Sequence, residues 1–240
     1  MNNSRFLEIL KASFLKYLET GARSNEKLKI LHGAISSDLS EKLKTTNDIG
    51  GVYAVYSLGF GSGQEKKIVG RYVDKAVDIT ISKDGQPVAG IAVKYVMSNY
   101  MQNSNNYFES MLGETANIRC NEIPYFQIFV IPDKIPYFYN SGVIKGWERI
   151  SEHNLKKYIT LSNDNIDNYL HTPNKTLVFI VNISCEGNPP YDDKKGYIKY
   201  YTETPFKLTL SPKVFKFENS VIYNDYEEFI KKVVHAVLSL

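Results

Sequence analysis

Asp78 and Lys94 lie on two consecutive stretches of alternating apolar residues joined by the pair Asp84-Gly85, and Ala92 stands two positions before the lysine. A carboxylate can hold a hard divalent cation through its oxygens, and an ammonium beside it can stabilise negative charge that develops in a reaction. A second acid at position 92 would let two carboxylates share one divalent ion within reach of Lys94. Further along, Glu114 falls at the edge of an apolar helical stripe, where a carboxylate is poorly solvated and needs a partner.

The elements that must position these groups follow from hydrophobic periodicity. Val77, Ile79 and Ile81 alternate with Ala76, Asp78 and Thr80, and Ile91, Val93 and Tyr95 alternate with Gly90, Ala92 and Lys94. Each stretch is therefore a strand with one apolar and one small or polar face. The apolar faces of an antiparallel pair coincide only if odd positions oppose odd positions, which centres the turn on Asp84 or Gly85. That favours a three- or five-residue loop with a left-handed glycine over a two-residue hairpin. Centring on Gly85 sets Asp78 opposite Ala92, with Lys94 one diagonal step away. Such neighbours have Cβ atoms roughly 4.5–5.5 Å and roughly 7–8 Å apart, respectively. Asp74 shares the strand face, but Asp78, flanked by Val77 and Ile79, has the setting of a central strand.

Residues 98–106, SNYMQNSNN, form an amide-rich loop, and a helix then runs to about residue 119 with Tyr107, Phe108, Met111, Leu112, Thr115 and Ile118 as its apolar stripe. Glu109 lies on its solvated side. Upstream, Ser4 caps a first helix over 4–20 with a stripe of Leu7, Leu10, Phe14, Tyr17 and Leu18. A second helix covers 25–43 through Leu28, Leu31, Ile35 and Leu39. His32 and Glu26 fall on this second helix and are read as structural or surface residues. Residues 44–51 are a loop and 52–58 a strand. The glycine-rich stretch 59–63 is a flexible connection without the Lys-Ser/Thr of a phosphate-binding loop.

Downstream, 125–131 is a buried strand ended by Pro132, a loop rich in Pro and Tyr runs to 146, 151–159 is a short helix and 177–183 a second central strand. Residues 186–204 form an open, charged, Tyr-rich loop, and 225–238 an amphipathic helix. With no internal repeat and no low-complexity linker, one domain is expected over 1–240. It comprises a helical part at 1–45, a core at about 50–185, and a C-terminal loop and helix at 186–240.

The 240 residues are 43% hydrophobic and 23% charged, enough for a sizeable core, and a net charge of +3 leaves any anionic partner to local patches. Two unpatterned cysteines, Cys120 and Cys185, exclude a disulfide framework or a zinc cage and are expected as reduced core thiols. The N-terminus lacks the apolar h-region of a signal peptide, and no apolar run approaches the ~18 residues that span a bilayer, so a cytoplasmic location is expected. The 18 tyrosines can offer rings to bases and hydroxyls to phosphates, or simply fill a half-buried sheet.

Asp78 within AVDITI and Ala92-Val93-Lys94 within GIAVKY resemble the PD-(D/E)xK nuclease signature, an acid followed across a hairpin by (Asp/Glu)-x-Lys. The match covers about residues 70–119, and the chain as a whole is similar to a type II restriction endonuclease. The resemblance implies an α/β fold, a restriction-endonuclease-like core in which a central mixed β-sheet is flanked by helices. It implies Mg²⁺ held by Asp78, by an acid at position 92 and by the Val93 carbonyl, with Lys94 positioning water and Glu114 completing the site. It further implies sequence-specific hydrolysis of double-stranded DNA by a homodimer, since cleaving both strands of a palindrome calls for a two-fold axis. The cation gathers phosphate charge and acidifies bound water, and the lysine stabilises the charge that develops.

For DNA contacts, Asn99, Gln102, Asn103, Asn105 and Asn106 are candidates because amides pair with adenine edges, and Arg119, with Arg71 and Lys75, is a candidate for phosphates. Polar turns, helix caps and surface ion pairs are the competing roles for the same residues. Lys194, Lys195 and Lys199 form a second candidate clamp.

Ala92 departs from the family pattern, and three readings stand. The acid was removed by design to trap an inactive enzyme on uncut DNA; or Glu114 supplies the second ligand from the helix; or the chain is a non-catalytic DNA- or partner-binding protein on the same fold.

Overall fold

The structure, a computed structural model, describes residues 1–45, 51–185 and 191–240. Most of the loop expected at 44–51, and the start of the one expected at 186–204, lie outside the described residues. Two helices lead the chain, α1 (Asn3–Thr20) and α2 (Glu26–Lys44). Asn2 rather than Ser4 caps α1, its side chain accepting the Arg5 N–H. Phe6, Leu10, Phe14, Tyr17 and Leu18 are the buried apolar residues of α1, whereas Leu7 is only half-buried.

Five strands follow: β1 (Tyr53–Ser57), β2 (Lys66–Ile68), β3 (Lys75–Val77), β4 (Ile79–Lys83) and β5 (Gln86–Tyr95). β4 and β5 pair antiparallel with Ile79 opposite Ile91 and Ile81 opposite Ala89, the odd-to-odd parity expected from the pattern. The turn expectation is corrected. The connection is a two-residue hairpin, with Asp84 at φ 50° and Gly85 at φ 82°, both in the left-handed region that such a tight turn requires. Parity survives because a β-bulge shifts the register between Ile81 and Ser82, putting Ser82 opposite Pro87.

α3 (Tyr100–Arg119) then crosses to β6 (Tyr125–Pro132), which runs parallel to β5. Of the amide-rich stretch only Ser98 and Asn99 precede the helix; residues 100–106 form its first two turns. Its N-terminus is held from afar: Glu148 accepts the backbone N–H groups of Tyr100, at 2.8 Å, and of Met101.

The Pro/Tyr-rich segment is also ordered, as the hairpin of β7 (Lys134–Phe138) and β8 (Ile144–Arg149). α4 (Glu152–Ser162), capped by Ser151, leads to β9 (Lys175–Cys185). The segment expected as an open loop contains α5 (Lys194–Glu203), capped by Asp193. β10 (Phe206–Leu210), β11 (Val221–Tyr223) and α6 (Tyr226–Leu238) complete the chain.

The main sheet has seven strands in the order β1-β4-β5-β6-β9-β10, with β11 also pairing β9. β5, β6 and β9 run parallel, and β4 and β10 join antiparallel on either side. β6 is buried along its whole length, as a parallel strand covered on both faces must be. One face packs on α1, α2 and α6 through Leu10, Ile35, Leu39, Phe229 and Val233; the other packs on α3 and α4 through Met111, Leu155 and Tyr158. The fold is a mixed α/β architecture, a central mixed sheet flanked by helices. Among the described residues no helix is long and apolar enough to cross a membrane.

Candidate active site

Asp78 occupies the joint between β3 and β4. The β4–β5 ladder ends at the Ile79–Ile91 pair, and the Asp78 carboxylate takes the Val93 N–H at 2.7 Å. The register carries Asp78 opposite Ala92. Asp78, Ala92, Val93 and Lys94 line one cleft of about 310 Å³ with Lys75, Tyr107, Glu114, Tyr125 and Gln127. The strand-pair geometry thus brings together four of the residues named for catalysis and metal binding, and α3 adds Glu114. Asp74 is exposed and does not line the cleft.

Two arms of the site are already partnered. Glu114 forms an ion pair with Lys75 at 2.9 Å and accepts the Tyr125 hydroxyl, so both of its oxygens are engaged, as its place at the edge of an apolar stripe demands. Lys94 rests its ammonium 4.0 Å above the centroid of the Tyr107 ring. Burial lowers its pKa, and the Asp78 charge works against that shift.

Asp78 is less well served. Burial pushes its pKa up to about 6; the Val93 N–H opposes the shift, the Glu114 charge adds to it, and Lys75 and Lys94 counter it weakly. Ala92 is half-buried against Ile68, Val77, Ile118 and Tyr125. Gln127, at the register position of Ala92 on β6, is buried with its Oε1 unpartnered among the described residues.

Sequence reasoning gave no site role to three residues here, Gln127, Glu65 and His32, the last read as structural. Gln127 was visible as the lone polar residue in an apolar strand. His32 lies on α2, buried, with both ring nitrogens unpartnered; burial drives its pKa down to about 4 against the pull of Glu65. Glu65 precedes β2, and its pKa is raised by burial and then by the Asp78 charge. His32, Glu65 and Asp78 each present a ligand atom within 4.8 Å of the others. Glu26, by contrast, pairs with Lys29 at the surface.

The residues named for DNA contact divide. Asn99, in the left-handed region at φ 50°, exchanges two hydrogen bonds with the Phe138 backbone, so its amide ties α3 to β7. Asn103 donates to the Asn99 carbonyl, and Asn105 accepts from Lys157. Gln102 and Asn106 are exposed on α3. Arg119 donates to the carbonyls of Ile166, Tyr169 and Thr172, at 2.8, 3.1 and 2.7 Å, and so holds the 166–172 segment. A larger cavity of about 690 Å³ lies between α3 and α4, lined by Asn105, His153, Lys156 and Lys157. It contains none of the Asp78 group.

Cys120 is a free, half-buried thiol that caps the end of α3; the Cys185 side chain lies outside the described residues. Within the glycine-rich stretch after β1, Gly59 lies against the backbone of α2. A Cβ at Gly59, where φ is +79°, would lie 2.2 Å from the Lys29 carbonyl oxygen.

Comparisons of this chain with models of protein families, with curated proteins and with solved structures each find no match.

Proposed function

We propose that the chain is a metal-dependent nuclease of the PD-(D/E)xK, restriction-endonuclease-like class, acting on double-stranded DNA as a homodimer. The observation that carries this reading is the register. Asp78 faces Ala92 across an antiparallel pair, and Lys94 opens into the same cleft. A Mg²⁺ ion fits the donor set as a partly hydrated ion on one carboxylate, Asp78, with the Val93 carbonyl and a substrate phosphate, since Mg²⁺ keeps several waters and needs few protein ligands. When bound, it supplies phosphate charge neutralisation and an acidified water.

The chain's own residues do the rest. Asp78 is held by the Val93 N–H, so its free oxygen keeps one direction. Lys94 is kept at the cleft by Tyr107, from where its ammonium can move to a phosphate oxygen. Glu114 fixes Lys75 at the cleft wall as a second cation. Gln102 and Asn106 are the exposed amides on α3 left to meet DNA.

A non-catalytic DNA- or partner-binding role is the alternative, and one observation favours it: the Ala92 methyl is packed against an apolar cluster as a native alanine would be. Plasmid cleavage in Mg²⁺ by this chain and by Ala92→Glu separates the two. A gain of about 100-fold or more with glutamate, the several kcal/mol that a completed metal site supplies, supports the nuclease. DNA binding without cleavage in either form supports the alternative.

A further inference from the structure

We infer that His32, Glu65 and Asp78 form a binding site for a divalent first-row transition metal, of the Mn²⁺, Co²⁺ or Zn²⁺ class. The three ligand atoms lie within 4.8 Å of one another. Ligands about 2.1 Å from a shared ion stand about 3 Å apart when adjacent and about 4.2 Å apart when opposite. Closing the trio onto an ion therefore takes side-chain movements of up to about 1 Å.

His32 supplies the independent sign. It is 1% exposed, and neither ring nitrogen has a partner among the described residues. Buried imidazoles ordinarily satisfy both a donor and an acceptor, because each unpaired polar atom is costly. Here the groups facing it are two carboxylates, and neither Glu65 nor Asp78 forms an ion pair among the described residues. A divalent ion would take one imidazole nitrogen and neutralise both carboxylates at once.

The supports are built in. Ser36 bonds Ser57 at 2.7 Å, and Ser57 donates to the His32 carbonyl, tying α2 to the end of β1. The Gly59 backbone lies against Lys29 at a distance only glycine allows. Next to Glu65, the Lys66 carbonyl accepts from Thr80, and Lys66 itself reaches the Gly85 carbonyl at 2.7 Å. Asp78 is oriented by Val93. Such fixed outer contacts hold ligands to a metal. Of the three ligands, Asp78 lines the cleft.

The imidazole sets the metal class, since nitrogen ligands favour Mn²⁺ through Zn²⁺ over Mg²⁺, which prefers oxygen. Its three ligands are His32, Glu65 and Asp78, so it needs no acid at position 92. It does not rest on hydrolysis and can be measured without turnover.

The test is Co²⁺ titration of the chelator-stripped full chain, followed by the visible absorption of the ion and repeated with Mg²⁺ as competitor. One equivalent should bind with a nitrogen-containing spectrum, should give way to Zn²⁺ and should resist equimolar Mg²⁺. Glu65→Gln and His32→Gln should each weaken binding about 10-fold or more. If His32→Gln fails to fold, the half-exposed Glu65→Gln decides alone. No stoichiometric Co²⁺ binding, or affinity unchanged in Glu65→Gln, overturns the inference. Cleavage by Ala92→Glu without Co²⁺ binding would sink this site and leave the nuclease; Co²⁺ binding without cleavage would do the reverse.

Discussion

Two corners of one cleft hold carboxylates in opposite circumstances. In the Glu114 corner, Lys75 and the Tyr125 hydroxyl each take one oxygen, so the charge is neutralised and the buried phenol is satisfied. In the Asp78 corner a carboxylate faces a second carboxylate and an imidazole that has no partner among the described residues, and it accepts a backbone N–H. The first corner is arranged for stability. The second accepts a cost in the metal-free state that a cation would remove, which is how binding sites differ from structural ion pairs.

Substitutions should therefore move stability in opposite directions. The largest effect is expected at Glu114→Ala, which leaves the Tyr125 hydroxyl without its acceptor and Lys75 unpaired. Urea denaturation should show a loss of about 3 kcal/mol. A loss below about 0.5 kcal/mol would place that corner among surface ion pairs of little consequence.

Asp78→Asn should act the other way in chelator, keeping an acceptor for the Val93 N–H while removing a buried charge. A carboxyl whose folded pKa is raised binds its proton more tightly folded than unfolded, so its contribution to stability falls as pH rises. The window runs from the ordinary value of 3.8 to about 6. Asp78 should cost the metal-free chain on the order of 1–3 kcal/mol across that window, and Asp78→Asn should remove that share of the slope and be the more stable protein at pH 7. Parallel pH–stability curves for the two would contradict this.

The smallest expected effect is at Arg119. If its guanidinium holds the 166–172 segment and not a phosphate, Arg119→Ala should lower the melting temperature yet leave the salt dependence of DNA binding unchanged. A phosphate contact would instead reduce that slope by about 1.

Much of the strand pair around Asp78 was legible because alternation and turn chemistry are local. The faces of β4 and β5 follow from Val77 through Tyr95, and the parity that sets Asp78 against Ala92 needed no tertiary information. The turn was misjudged because a bulge at Val88, opposite the step from Ile81 to Ser82, supplied the odd residue that a longer loop would have supplied. The start of α3 was hidden for a different reason. Asparagines favour loops locally, and the carboxylate that holds this helix end is Glu148, from a distant hairpin. His32, Glu65 and Asp78 belong to separate elements, and no spacing rule joins them. Only the packing of α2 against β1 and the Gly59 crossing bring His32 to Glu65. Arg119 illustrates the converse error, since a basic residue at a helix end reads equally as a phosphate contact or as a donor to a loop.

The most direct measurement is the melting temperature of the chelator-treated chain, of Asp78→Asn and of Glu114→Gln, each with and without Mn²⁺. At about 100 times its Kd, a bound ion stabilises the folded state by about 2.7 kcal/mol, a rise of about 5–10 °C for a chain of this size. Mn²⁺ should raise the chain and Glu114→Gln by that amount and leave Asp78→Asn unmoved. An equal rise in Asp78→Asn, or none in the chain itself, would contradict a cation site at Asp78.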